Sequence, residues 1–230
     1  MGKVTCGNGE ALEQNMNYSI IQTSTIRSFA DDHPLIANGS DGGDAIVILG
    51  KAAGTALQSI PDRAAKAVVL VELSTECLGV HTGESRGLEG SNVLGFARFH
   101  LGDGEPSNLV ELVCQPQSTV AAIAAAKQIF SGAALEVAVC SDFAGRIIDR
   151  LVRPYYNAAL RRLDEGLASA DDLDTTLKLG LGYPEGPISL LERTGLHHHF
   201  DVSQALFETY GESAYAPARR ARVAKQRQGK

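Results

Sequence analysis

Closely spaced glycines can do chemistry in this sequence. A residue without Cβ lets a ligand reach the main chain, and backbone amides at the start of a helix can then cradle a phosphate. The run GNGEAL at 7–12 resembles the start of a GxGxxG dinucleotide motif, with Gly7 and Gly9 in place and Leu12 at the third glycine. Its helix would end by about residue 15, where YSIIQT approaches, which is short for a βαβ unit of ~30 residues. The pair Gly50 and Gly54 in GKAAG follows an apolar run but lacks the tight first GxG. His197, His198 and His199 stand in a row; neighbours on a helix point about 100° apart, so they are not expected to converge on one ion, and no metal is expected. Cys6, Cys77, Cys114 and Cys140 form no CxxC and read as reduced, half-buried thiols. Asp149 and Arg153 have the i, i+4 spacing of a helical ion pair.

Composition narrows the classes. The 230 residues carry a formal net charge of −6, with 44% hydrophobic and 21% charged residues. That balance suits a water-soluble globular chain and argues against one built to hold nucleic acid or an anionic membrane. The tail ARRARVAKQRQGK gathers six Lys/Arg and reads as a solvated helix end or frayed terminus. The opening MGKVTCGNGE has no apolar run, so no leader is expected, and no stretch approaches ~18 apolar residues. A cytoplasmic setting is the expectation.

The elements that would position these residues fall into two kinds. Strands are expected at YSIIQTSTI (18–26), DAIVILG (44–50), KAVVLVELS (66–74), SNVLGFARFHL (91–101), NLVELVCQP (108–116) and ALEVAVCSD (134–142). Helical spacing follows at 51–65, broken by Pro61, and in the Ala-rich 119–133. Strands alternating with helices imply a parallel sheet in an α/β domain, 1–142. From 143 to 230 the pattern is helical. Apolar residues recur at 147, 148, 151, 152, 155, 156, 159, 160 and 163, with Pro154 inside and Gly166 at the end. Ser169 starts another helix, with an acid three residues on. KLGLGYPEGP (178–187) then breaks the pattern with glycines and prolines, and Pro187 can open the next helix.

The stretch FAGRIIDRLVRPYYNAALRRLDEGLASADDLDTTLKLGLGYPEGPISLLERTGL (143–196) closely resembles the C-terminal domain of the 3-hydroxyacyl-CoA dehydrogenase family. That family's pattern runs Pro-Gly-Phe-Ile-x-Asn-Arg-Leu, an acid-Gly-x-Ala-Ser turn, Asp-Ile-Asp, then Lys-Leu-Gly-x-Gly-x-Pro-x-Gly-Pro. A weaker match, VLGFARFHLGDGEPSNLVELV, meets the family's Gly-Met-His-Phe-Phe-Asn-Pro run and Leu-Val-Glu.

The resemblance implies a Rossmann-like domain, reduced and degenerate here, before a helical domain that makes a homodimer contact. It also implies NAD-dependent oxidation of a 3-hydroxyacyl-CoA, with a His as general base oriented by a Glu. Glu111 falls on that Glu. Counting back from it places Phe99 on the His, whereas GFARF places Ala97 there. His100 can serve only if a bulge turns it, since one residue on a strand reverses the face. Asp149 falls on the family's substrate-binding Asn, and Ser74 or Thr75 on its Ser. An ionised Asp can only accept hydrogen bonds, so Asp149 is expected to pair with Arg153. Gly7 and Gly9 are the cofactor candidates. With these departures the dehydrogenase step is expected to be weakened or lost. The alternative is a non-catalytic acyl-CoA-binding or dimerisation partner of a complete dehydrogenase.

Overall fold

The computed structural model describes residues 16–24, 26, 28–83 and 91–228. Gly7, Gly9 and Cys6 lie outside the described residues. One six-stranded sheet runs in chain order: β1 (Tyr18–Gln22), β2 (Ala45–Leu49), β3 (Val68–Glu72), β4 (Val93–Arg98), β5 (Leu109–Cys114) and β6 (Glu136–Ser141). β1 to β4 are parallel, β4 and β5 antiparallel, β5 and β6 parallel again. The antiparallel pair departs from the all-parallel expectation. Residues 99–108 are too short for a crossover helix, so β5 has to return as a hairpin partner.

β2 is buried along its whole length, as an inner parallel strand should be. Ala45, Val47, Leu49, Val68, Leu70, Leu94 and Phe96 join one core with α4 (Val120–Gly132) and Leu35 of α1 (Pro34–Ala37). Ile46, Ile48, Val69, Val71 and Val113 join the other with Ala53 and Leu57 of α2 (Ala53–Leu57). The β1–β2 connection thus packs on one face and the β2–β3 connection on the other. Both step across the sheet in the same direction, so their hands are opposite and one is the uncommon left-handed crossover.

A short helix α3 (Gly79–Thr82) precedes β4, and helices alone follow β6: α5 (Ile148–Asp164), α6 (Ala170–Leu181), α7 (Pro187–Thr194), α8 (Leu196–Tyr210) and α9 (Arg219–Gln228). Pro154 sits inside α5 without ending it. It leaves the Arg150 carbonyl without its helical donor, and the Tyr215 hydroxyl donates to that oxygen at 3.5 Å. The buried face of α5 carries Arg153, Tyr156, Asn157 and Leu160, while Leu151, expected inside, is 69% exposed. The described part of the basic tail, 218–228, is packed on one side rather than wholly solvated. Ala218 and Ala221 are buried, Arg220 pairs with Asp164, and Lys225 pairs with Asp201. Leu101, from the loop after β4, enters the helical core beside Tyr156 and Leu191. No helix among the described residues is long and apolar enough to cross a membrane.

Candidate active site

Glu111 lies in the middle of β5, buried, and faces the start of α5. Its Oε1 accepts from the amides of Ile147 and Ile148 at 2.9 and 2.8 Å. Oε2 stands 3.7 Å from Nε of Arg146, itself buried. Burial pushes the Glu111 carboxyl above its ordinary range, against the opposing pull of the Ile148 amide and the Arg146 charge. Ala97 on β4 is directly opposite Glu111. Directly opposed residues in an antiparallel pair share a face with Cβ atoms about 5 Å apart. The residue facing Glu111 across the pair is therefore Ala97, which has no side chain to move a proton, while Phe99 and His100 lie beyond the end of β4.

His100 is past the end of β4, and its Nδ1 turns to the Gly102 carbonyl, 3.0 Å away, rather than to Glu111. It borders a cleft of about 470 Å³ with His33, Arg98 and Glu105. Ser74 does come to Glu111's neighbourhood, but through its main chain. Its carbonyl accepts from Nη2 of Arg146, and its amide donates to the Glu76 carboxylate at 3.2 Å. Asp149 accepts from Nε of Arg153 at 2.7 Å, the ion pair expected from spacing.

Arg146 is the residue that reading the sequence for chemistry overlooked. It adopts a left-handed backbone, φ +48°, and links Glu111 to the carbonyls of Ser74 and Glu76. A signal was present: in the pattern Pro-Gly-Phe-Ile-x-Asn-Arg, Arg146 occupies the place of the Phe. Where the resemblance implies an apolar ring, this chain carries a charge beside Glu111. A cleft of about 390 Å³ opens next to it, lined by Cys140, Phe143, Arg146, Ile147, Arg150 and Tyr215. Burial, then the nearby Glu111 charge, pushes the Cys140 thiol up to about 11, so it stays protonated and unreactive.

The described residues do not fit a dinucleotide at the second glycine pair. β2, Gly50 and α2 make a strand-turn-helix, but its amides are already used. Gly50 donates to Glu72 Oε2 at 2.6 Å, Lys51 to Ser24 Oγ at 3.1 Å and Ala52 to Thr23 Oγ1 at 3.2 Å. A carboxylate stands where a phosphate would have to be. The described strands also show no reversal of order, the switch point at which open α/β sheets bind dinucleotides.

Comparison with known proteins points the same way as the motifs. The family profile described as 3-hydroxyacyl-CoA dehydrogenase, C-terminal domain, matches residues 145–230. A 3-hydroxybutyryl-CoA dehydrogenase of Bradyrhizobium diazoefficiens is 33% identical over 123 residues, 53% of this chain and 42% of that protein. The human mitochondrial hydroxyacyl-coenzyme A dehydrogenase is 35% identical over 102 residues, 44% of this chain and 32% of its own length. The chain therefore spans less than half of these relatives. The crystal structure of (S)-3-hydroxybutyryl-CoA dehydrogenase from Ralstonia eutropha shares the fold, with TM-score 0.66 at 22% identity over 79% of this chain and 64% of that one. Residues 145–230 thus match the C-terminal domain of the 3-hydroxyacyl-CoA dehydrogenase family, and the sheet with the helices that follow it shares the fold of the Ralstonia eutropha structure.

Proposed function

We propose that this chain acts as a member of the 3-hydroxyacyl-CoA dehydrogenase family that binds acyl-CoA but has lost the dehydrogenase step. The observation that carries this reading is Ala97 opposite Glu111, with the carboxylate committed to α5 and Arg146. A general base needs a titratable group within hydrogen-bond reach of the proton it removes. The occupied amides of Gly50 to Ala52 support the same reading for NAD, the family's cofactor. The cleft beside Arg150 supports the ligand: apolar walls suit an acyl chain and the Arg150 guanidinium suits an anionic end.

The helical part, 143–230, is proposed as the homodimer contact, separate from the α/β part, 1–142. Leu179, Leu181 and Tyr183 crowd exposed at the end of α6, where a second copy would cover them. A cytoplasmic setting belongs to the same proposal.

The test is to follow NADH oxidation by the purified chain with acetoacetyl-CoA and to titrate NADH and acetoacetyl-CoA separately by calorimetry. Saturable acyl-CoA binding without NADH oxidation above the buffer rate is the expected result. Turnover that Glu111→Gln abolishes would overturn the reading.

A further inference from the structure

Two of the three consecutive histidines meet a carboxylate from far away in the chain. One ligating atom from each of Asp103, His197 and His198 lies within 4.8 Å of the other two. His198 Nε2 and Asp103 Oδ1 are 3.3 Å apart. A tetrahedral zinc with bonds of ~2.0 Å sets neighbouring ligand atoms about 3.3 Å apart, so one edge of such a site already has the right length. The expected divergence of adjacent helical side chains is overcome at the first turn of α8. Gly195 precedes that turn at φ +91°, and the two rings approach to 3.9 Å between centroids. His199 turns away into the helical core.

The main chain holds this arrangement in place. The Asp103 amide donates to the Thr194 carbonyl at 2.9 Å. A Cβ on Gly102 would lie 1.9 Å from that same oxygen, so only glycine lets the loop come so near the α7–α8 junction. The loop belongs to the β4–β5 hairpin and the histidines to the helical part. Two imidazoles and one carboxylate suit a borderline divalent metal and are a poor set for calcium or magnesium, which take oxygen.

We propose that Asp103, His197 and His198 form a binding site for a divalent transition metal of the zinc class, with its remaining position open to water. A metal there cross-links the β4–β5 loop to the helical part. It lies outside the Glu111 site and does not depend on the function proposed above.

The experiment uses the full chain, purified without a polyhistidine tag and stripped with chelator. Zinc chloride titrated by calorimetry should give one saturable site per chain and raise Tm. Binding should weaken at least about tenfold in Asp103→Asn and in His198→Ala. Asp103→Asn is nearly isosteric and exposed, so it keeps the test valid should the histidine variant misfold. Cobalt(II) loading should show a ligand-field spectrum without a thiolate charge-transfer band. Absence of saturable binding, unchanged affinity in both variants, or a thiolate band would each overturn the proposal.

Discussion

At the scale of single residues, Glu111 and Arg146 are a buried ion pair that also ties the loop after β3 to β5 and the start of α5. Removing one member leaves the other charged and unpaired, which typically costs about 3–5 kcal/mol. Glu111→Ala is expected to lower unfolding stability by about 3 kcal/mol in urea titrations. The double variant Glu111→Ala/Arg146→Met should lose less than the sum of the two single losses, since neither charge is then stranded. Strictly additive losses would show that the pair is not coupled. Glu111 was legible from its family position, but its present partner was not. Whether a carboxylate faces a His or an Arg depends on which residue of β4 lies opposite it, and a one-residue register is hard to read from FARFH.

At the scale of elements, the break KLGLGYPEGP is a capping device. Asp174 of α6 is buried and accepts from the amides of Ile188 and Ser189, both at 2.9 Å, and from the Ser189 hydroxyl at 2.6 Å. It serves α7 as an N-cap residue would, from a neighbouring helix. Gly186 makes this approach possible, because a Cβ there would stand 2.2 Å from Cβ of Asp174. Gly186→Ala is expected to cost about 2 kcal/mol or more through that overlap, and Asp174→Ala about 1–2 kcal/mol through the lost cap. Thermal melts of both variants check this, and an unchanged Tm in Gly186→Ala would refute the packing argument. Gly182 ends α6 in the left-handed conformation, φ +71°, the role glycine commonly takes there. The start of α6 at Ser169 and of α7 at Pro187 could be read from local residue types. The cap from Asp174 could not, because it spans a turn between two helices. The direction of β5 was equally hidden: short apolar runs look alike in parallel and antiparallel strands.

At the scale of the whole molecule, a buried polar network joins α5 to α8. Arg153 Nη1 approaches His199 Nδ1 at 3.2 Å, so that nitrogen accepts, and Nε2 donates to Asn157 Oδ1 at 3.0 Å. Burial, then the charge of Arg153, pushes the His199 imidazole down to about 3. The unfolded chain takes up a proton below ~6.5, while the folded chain refuses it until about pH 3. Stability from this group is therefore complete above ~6.5 and is lost as pH falls, by roughly tenfold in the folding equilibrium per pH unit. Urea midpoints measured from pH 7 to pH 4 in chelator-treated buffer should fall more steeply for the native chain than for His199→Gln, and parallel slopes would refute the assignment. For the proposed dimer, Leu179→Glu with Leu181→Glu is expected to halve the mass seen by light scattering, and an unchanged mass would move the contact elsewhere. The α/β-then-helical order was legible because strand and helix periodicities differ. The inward turn of Arg153, Asn157 and His199 was not, since polar residues on a helix ordinarily mark its wet side.

The sheet runs in chain order from β1 to β6, so among the described residues each strand pairs with its immediate neighbours in sequence. Such a topology keeps contacting residues close along the chain, which favours rapid search for the native pairing. Each strand can dock as soon as it leaves the ribosome, without waiting for a distant partner. Synthesis from the N-terminus would then complete the sheet before the helices that seal Glu111 are made. Nascent chains arrested after residue 142 should already protect the amides of β2 and β3 from hydrogen exchange.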